Sequence, residues 1–208
     1  MENKKGTTTV ALVFKDGVVL AADKRVSLGY MIAHKNAKKV LKITDFIGVT
    51  TAGSVGDIQS LVGLLRAEAK LYEIKNSKKM SPGALAKLTS AVLQGQRYYP
   101  IMAWLVLAGV DKEGHVYSID PIGGVSEDKM VATGAGMEAA YGVLDDRYKE
   151  DMSKDDAVQL ATRSLQAAIS RNMTTGDGIS LSVITKDGYE DYSDEEVDAV
   201  IASIKGGA

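Results

Sequence analysis

Near its start the chain reads Gly6-Thr7-Thr8-Thr9-Val10, three hydroxyls placed directly after a glycine. Cleavage after Gly6 would make Thr7 an N-terminal residue. Its α-amine, with an ordinary pKa of about 7.7–8.0, can then take the proton from its own hydroxyl, so that nucleophile and base come from one residue. The same run also reads as an ordinary edge strand. A polar cluster, Asp23-Lys24-Arg25, follows. If Lys15-Asp16-Gly17 forms a hairpin turn, the chain returns antiparallel and puts Asp23 beside Thr9 and Arg25 beside Thr7. Aspartate is a poor strand former, so it either serves the start of the first strand or caps the next turn. The run His34-Lys35-Asn36-Ala37-Lys38-Lys39 then supplies several cations. As a run it reads as a solvated turn. A single lysine docked between Asp23 and Thr7 would favour an alkoxide and discourage protonation of a nearby amine.

The rest of the composition excludes most other chemistries. Among 208 residues there is no Cys and there are two histidines, His34 and His115. That removes disulfides, thiolate metal sites and a cysteine nucleophile, and leaves little room for a His-based metal site or a Ser-His-Asp triad. No metal and no cofactor are expected. Lys and Arg total 25 against 27 Asp and Glu, a balance without the basic field that nucleic acid needs. No apolar run reaches the roughly 18 residues of a membrane helix, and Met1 to Gly6 is not followed by the core of a signal peptide. These features fit a cytoplasmic chain with no membrane or nucleic-acid partner. Gly134-Ala135-Gly136 lacks the Lys-Ser/Thr of a phosphate loop and reads as a close-packed turn, and the carboxylates from Asp145 to Asp156 read as helix ends.

The elements that must position Thr7 and Asp23 can be traced along the chain. Strands are expected over Thr7–Phe14, Val18–Ala22, Tyr30–His34, Val40–Ile43 and Phe46–Ala52. The period then changes: Ile58, Leu61, Val62, Leu65 and Tyr72 form a helical stripe within Val55–Ile74. A second helix starts at Ser81-Pro82 and stops near Tyr99-Pro100. Strands follow over Ile101–Val110 and His115–Ile119, then helices over Met137–Tyr148 and Ser153–Arg171. The chain closes with strands Ile179–Thr185 and Tyr189–Tyr192 around Lys186-Asp187-Gly188, and a helix from Ser193, whose Glu196 completes a capping box. At roughly 150 residues per domain, and with no linker or repeat, this is one domain. Blocks of strands and of helices indicate an α+β layered fold with antiparallel sheet.

Thr7-Thr8-Thr9-Val10, Ala22-Asp23-Lys24-Arg25, Lys35-Asn36-Ala37-Lys38-Lys39 and Ala52-Gly53-Ser54-Val55-Gly56-Asp57 together resemble the β subunits of the archaeal proteasome core particle. Ser118-Ile119-Asp120, Ala132-Thr133-Gly134 and Tyr141-Gly142-Val143-Leu144 extend the resemblance from Thr7 to about Tyr192. It implies a four-layer αββα sandwich of the N-terminal nucleophile hydrolase type, two antiparallel sheets flanked by helices. It implies a propeptide, residues 1–6, removed autocatalytically between Gly6 and Thr7, and a catalytic domain over 7–208.

By the same resemblance Thr7 is the nucleophile of a threonine endopeptidase, Asp23 orients Lys39, Lys39 tunes the Thr7 hydroxyl, and the Gly53 N–H stabilises the oxyanion. Asn172 and Thr175 belong to the same network. Active relatives usually have Ser at 135, Asp at 172 and Ser at 175, where this chain has Ala135, Asn172 and Thr175. A non-catalytic or weakly active structural β-type subunit is therefore the competing expectation. Val26, Ala37, Leu41, Thr51 and Val55 are expected to line the first specificity pocket, with Gln59 near its base and Ser27 against the substrate backbone. No charge lines that pocket, so apolar side chains should enter best. The implied partners are heptameric β rings, α-subunit rings, an ATPase regulator acting indirectly, and unfolded polypeptides. The bacterial ATP-dependent relative of the same fold usually has a shorter chain and a different start.

Overall fold

The computed structural model describes residues 6–206. In chain order, the elements among them are β1 (Thr8–Phe14), β2 (Gly17–Asp23), β3 (Val26–Leu28), β4 (Met31–His34), β5 (Val40–Thr44), β6 (Ile47–Gly53), α1 (Val55–Asn76), α2 (Pro82–Gly95), β7 (Ala103–Val110), β8 (Gly114–Ile119), β9 (Val125–Asp128), β10 (Met130–Gly134), α3 (Met137–Arg147), α4 (Lys154–Arg171), β11 (Ile179–Thr185), β12 (Gly188–Asp191) and α5 (Asp194–Gly206). One five-stranded antiparallel sheet has the order β10-β1-β2-β11-β12, and a second has β5-β6-β7-β8-β9; β3 and β4 form a separate hairpin.

Alternation along the strands explains the layering. In β1, Val10, Leu12 and Phe14 join Ala157, Leu160, Ala161 and Leu165 of α4, while Ala11 and Val13 point the other way. In β7, Leu105 and Leu107 pack on Leu61, Leu65 and Leu85 of α1 and α2, and Val106, Ala108 and Val110 meet Ala11, Val18 and Leu20 of the first sheet. Both sheets are apolar on both faces. Each must therefore be covered twice, by the other sheet and by a helix layer, which produces the expected αββα sandwich.

Capping sets the helix starts. Ser81 Oγ accepts the Ala84 N–H at 3.2 Å with Pro82 in the first turn. Ser153 Oγ accepts the Asp156 N–H at 3.2 Å. Ser193 and Glu196 make the reciprocal box, at 3.2 and 2.7 Å. The second helix ends at Gly95, earlier than expected, because Gln96 to Tyr99 continue in three-residue turns ahead of Pro100.

The first hairpin differs from the expected register by one residue. Phe14 pairs with Gly17, so the loop is Lys15-Asp16 alone, and Thr9 faces Ala22 rather than Asp23. Gly17 is a strand residue, paired with Phe14 and Thr185, and it is a glycine because a Cβ there would lie 2.2 Å from the Ile184 carbonyl oxygen and 2.9 Å from the Phe14 ring. The slip places Asp23 level with Thr8. Three strands, β3, β9 and β10, were not expected from sequence. Val125 to Asp128 of β9 are all exposed, and an edge strand with no buried face has no apolar alternation to read.

Candidate active site

Asp23 ends β2 fully buried, and four N–H donors saturate its carboxylate. Oδ1 accepts the Thr8 N–H at 2.9 Å and Lys39 Nζ at 2.7 Å. Oδ2 accepts the backbone N–H of Arg25 at 3.1 Å and of Gly176 at 3.0 Å. Lys39 sits just before β5, buried, and donates a second bond to the Arg25 carbonyl at 2.5 Å. Its own carbonyl is held by the Thr51 N–H at 3.0 Å. Burial pushes the ammonium below the ordinary lysine range, against the opposing pull of Asp23. The lysine is thereby brought closer to a state in which it can exchange a proton.

Thr7 precedes β1 beside this pair. Its hydroxyl donates to the Gly6 carbonyl at 2.8 Å, and the Gly6 N–H donates to Ser27 Oγ on β3 at 3.3 Å. Two turns wall in this junction. After β10, the Ala135 N–H donates to the Thr7 carbonyl at 2.7 Å and the Gly136 N–H to Thr8 Oγ1 at 2.9 Å. Gly134 has φ +92°, and a Cβ there would lie 1.9 Å from the Thr7 carbonyl oxygen, so only glycine fits.

The second wall follows α4. Thr175 Oγ1 lies 2.7 Å from Thr8 Oγ1, and Asn172 Oδ1 accepts from Thr174 and Thr175 while its Nδ2 donates to the Ala135 carbonyl. Arg25 clips this turn to the end of β2. Its Nε donates to Asp177 at 2.7 Å and its Nη1 to the Met173 carbonyl at 2.7 Å. That hydrogen bond holds the Asp177 carboxyl below the ordinary range. Asp177 has φ +61°, a left-handed conformation uncommon outside glycine, in which the ion pair holds it.

Gly53, at the end of β6, has φ +141°, and a Cβ would lie 2.0 Å from the Met102 carbonyl oxygen. Val26 and Ser27 are on β3, Ala37 bonds the Lys24 carbonyl through its N–H at 2.9 Å, and Thr51 is buried beside Lys39. Leu41 packs on the core beneath α1 and α2, whereas Val55 and Gln59 are exposed in the first turns of α1.

Residues 3–184 match the family model described as Proteasome subunit. The chain belongs to the proteasome subunit family. It is similar to Proteasome subunit beta 1 of Thermococcus onnurineus, 50% identical over 200 residues covering 96% of this chain and 98% of the relative. It is also similar to Proteasome subunit beta of Archaeoglobus fulgidus, 49% identical over 203 residues (97% and 95%), and to Proteasome subunit beta 2 of Pyrococcus furiosus, 46% identical over 200 residues (96% and 97%). The chain is a proteasome core β subunit, in a family of threonine-type peptidases.

Within this proteasome subunit the structure brings Thr7, Asp23, Lys39, Asn172 and Thr175 around one junction, with Gly6 on its upstream side. Residues 1–5 of the expected propeptide lie outside the described residues. Sequence reasoning missed Thr8, Thr174 and the Arg25–Asp177 pair. Arg25 was visible as part of a polar cluster, but nothing in the sequence signals that Asp177, 152 positions away, is its partner. No helix among the described residues is long and apolar enough to cross a membrane.

Proposed function

We propose that the chain is a catalytic β subunit: a threonine endopeptidase that removes its own leader at Gly6–Thr7 and then cleaves unfolded polypeptides after apolar residues. The observation that carries this is the buried Asp23–Lys39 pair, bonded through Asp23 to the Thr8 N–H, beside a Thr7 hydroxyl already on the Gly6 carbonyl. In self-processing, Thr7 Oγ1 adds to the Gly6 carbonyl carbon, its proton passes to the departing Thr7 nitrogen, and the Gly53 N–H takes the role of donor to the developing oxyanion. The Gly6–Thr7 C–N bond then breaks, the α-amine is released, and the ester left on Oγ1 is hydrolysed by water. In the processed chain the free amine takes the hydroxyl proton as Oγ1 attacks a substrate carbonyl and passes it to the leaving amine. Asp23 and Lys39 supply the field that favours the alkoxide.

The subunit acts within heptameric β rings closed by α rings, with substrate fed by an ATPase, in the cytoplasm. Tyr30, Tyr98 and Tyr99 are each more than 75% exposed, apolar surface of the kind that neighbouring subunits cover. A second reading, a structural subunit that holds a ring position without cutting, is favoured by Ala135, which carries no hydroxyl, and by an Asn172 amide committed to the Ala135 carbonyl. Intact mass of the chain assembled with its α subunits, with and without a threonine-directed covalent inhibitor, separates the two. Loss of residues 1–6 and an adduct on Thr7, both abolished in Thr7→Ala, support catalysis. A retained leader and no adduct in a correctly assembled particle support the structural role.

A further inference from the structure

Asn172 lies immediately beyond α4 and its side chain spans the two walls around the Gly6–Thr7 junction. Oδ1 accepts the Thr174 backbone N–H at 2.9 Å, the Thr174 hydroxyl at 2.6 Å and the Thr175 hydroxyl at 3.3 Å. Nδ2 donates to the Ala135 carbonyl at 2.7 Å. The amide can take only this orientation. A backbone N–H can only donate and a backbone carbonyl can only accept, so the oxygen must face Thr174 and the nitrogen must face Ala135.

Each end leads to the scissile junction. On one side, Ala135 donates its N–H to the Thr7 carbonyl and Gly136 donates to the Thr8 hydroxyl. On the other, Thr175 meets the same Thr8 hydroxyl. Thr174 is packed so closely on Gly6 that a Cβ at position 6 would lie 1.9 Å from its side chain.

We infer that Asn172 is a positioning residue that ties the two walls of the Gly6–Thr7 junction together, and that its place requires a neutral side chain donating at one end and accepting at the other. An aspartate would keep all three bonds at Oδ1. Its second oxygen would face the Ala135 carbonyl oxygen at the distance Nδ2 now occupies, 2.7 Å, with no proton between them. The Ala135 side chain has no hydroxyl to supply one. The protonated acid does supply it, so an aspartate at 172 makes the tie depend on pH where the native amide does not.

The charged groups of the elements that meet here are Arg25, between β2 and β3, with its partner Asp177 on the clipped turn, Arg171 in the last turn of α4, Glu138 in the first turn of α3, and Asp23 with Lys39, bonded to Gly176 through Asp23. Arg25, Arg171 and the three donors at Oδ1 favour an ionised aspartate, and the carboxylates oppose it. The donors at Oδ1 are bonded in both forms, whereas only the ionised form sets an oxygen against the Ala135 carbonyl oxygen at 2.7 Å without a proton between them, and this contact tips the balance to the protonated form. An aspartate there therefore has a folded pKa raised above its unfolded value near 3.9. The stabilising bond is present in acid and is lost as pH rises through the folded pKa.

The inference rests on the catalytic reading only for its effect on leader removal, so it is tested first without catalysis. In full-length chains carrying Thr7→Ala, which retain the leader in every case, thermal unfolding is followed from pH 4.5 to 8 for Asn172, Asn172→Asp and Asn172→Ala. Asn172→Asp is expected to melt about 3–6 °C below the parent at pH 7.5 and to recover at least half of that by pH 5, while the Asn172→Ala deficit stays constant. With Thr7 intact and α subunits present, leader removal in Asn172→Asp, followed by intact mass, is expected to slow at least tenfold at pH 7.5 and to quicken at pH 6. If the native chain keeps its leader, the catalytic reading fails while the melting series still decides this one. An Asn172→Asp chain as stable as its parent at pH 7.5, or one whose deficit is the same at every pH, overturns the inference.

Discussion

Replacing Asp23 by Asn keeps the shape of the side chain and removes its charge. The native carboxylate accepts from Thr8, Lys39, Arg25 and Gly176, with no exposure to solvent. In either orientation the amide NH2 must face two donors: the Arg25 and Gly176 N–H groups, or the Thr8 N–H and the Lys39 ammonium. Two buried donors are thus left unsatisfied, at about 1–3 kcal/mol each. Lys39 also loses its counter-charge, and breaking a buried pair costs about 3–5 kcal/mol. These losses overlap, because Lys39 is already held below the ordinary lysine range by burial and can shed its proton.

A net loss of about 4 kcal/mol corresponds to a fall in Tm of about 8–16 °C for a chain of this size. The sign with pH follows from Lys39. A lysine whose folded pKa is depressed binds its proton less tightly when folded, so stability rises with pH up to the unfolded pKa. The Asp23→Asn deficit should therefore be larger at pH 6 than at pH 9. Differential scanning calorimetry of the full chain reads both effects. Adding Lys39→Met should recover part of the loss, since no unpaired charge then remains buried. A Tm within about 3 °C of the native chain, or strictly additive single and double variants, would refute the account of a mutually dependent buried pair.

Gly53→Ala forces a Cβ to within 2.0 Å of the Met102 carbonyl oxygen at φ +141° and should cost about 3 kcal/mol in urea unfolding. Gly56→Ala, in open space in the first turn of α1, should be neutral or stabilising by up to about 1 kcal/mol, so equal losses at both would contradict the steric reading. His115 lies between Glu127 at 2.7 Å and Asp111 at 3.2 Å; burial disfavours its charge, but these hydrogen bonds prevail and raise its pKa. Its contribution is complete below the unfolded value near 6.5 and is lost as pH rises through the folded value. Native Tm should thus fall relative to His115→Gln from pH 6.5 upward, and parallel curves would count against the clamp.

Much of the architecture was legible because it depends on short-range signals. Apolar spacing identified α1, the serine caps identified the starts of α2 and α5, and apolar and β-branched runs between turn signals identified β1, β7 and β11. Features lacking such signals were not found. The edge strand β9 buries nothing, and β10 is defined by pairing with β1, 118–126 residues away in sequence across the register from Thr8↔Gly134 to Leu12↔Met130. The hairpin register was misplaced by one residue because Asp-Gly is a turn signal, whereas Gly17 is a glycine on account of the Ile184 carbonyl above it.

The sequence by itself determined the family and singled out Thr7, Asp23, Lys39, Asn172 and Thr175 as candidates, since several short motifs in order are specific without any knowledge of contacts. Only the tertiary structure decided how those groups are joined. Asp23 serves Thr8 and the turn at Gly176 as well as Lys39, Arg25 reaches Asp177, and the Asn172 amide joins walls contributed by β10 and α4. The physical reason is that a hydrogen bond depends on where a donor and an acceptor meet in space, and the partners at this junction are brought together by the packing of two sheets and by a turn after α4, with nothing in the local pattern to mark them.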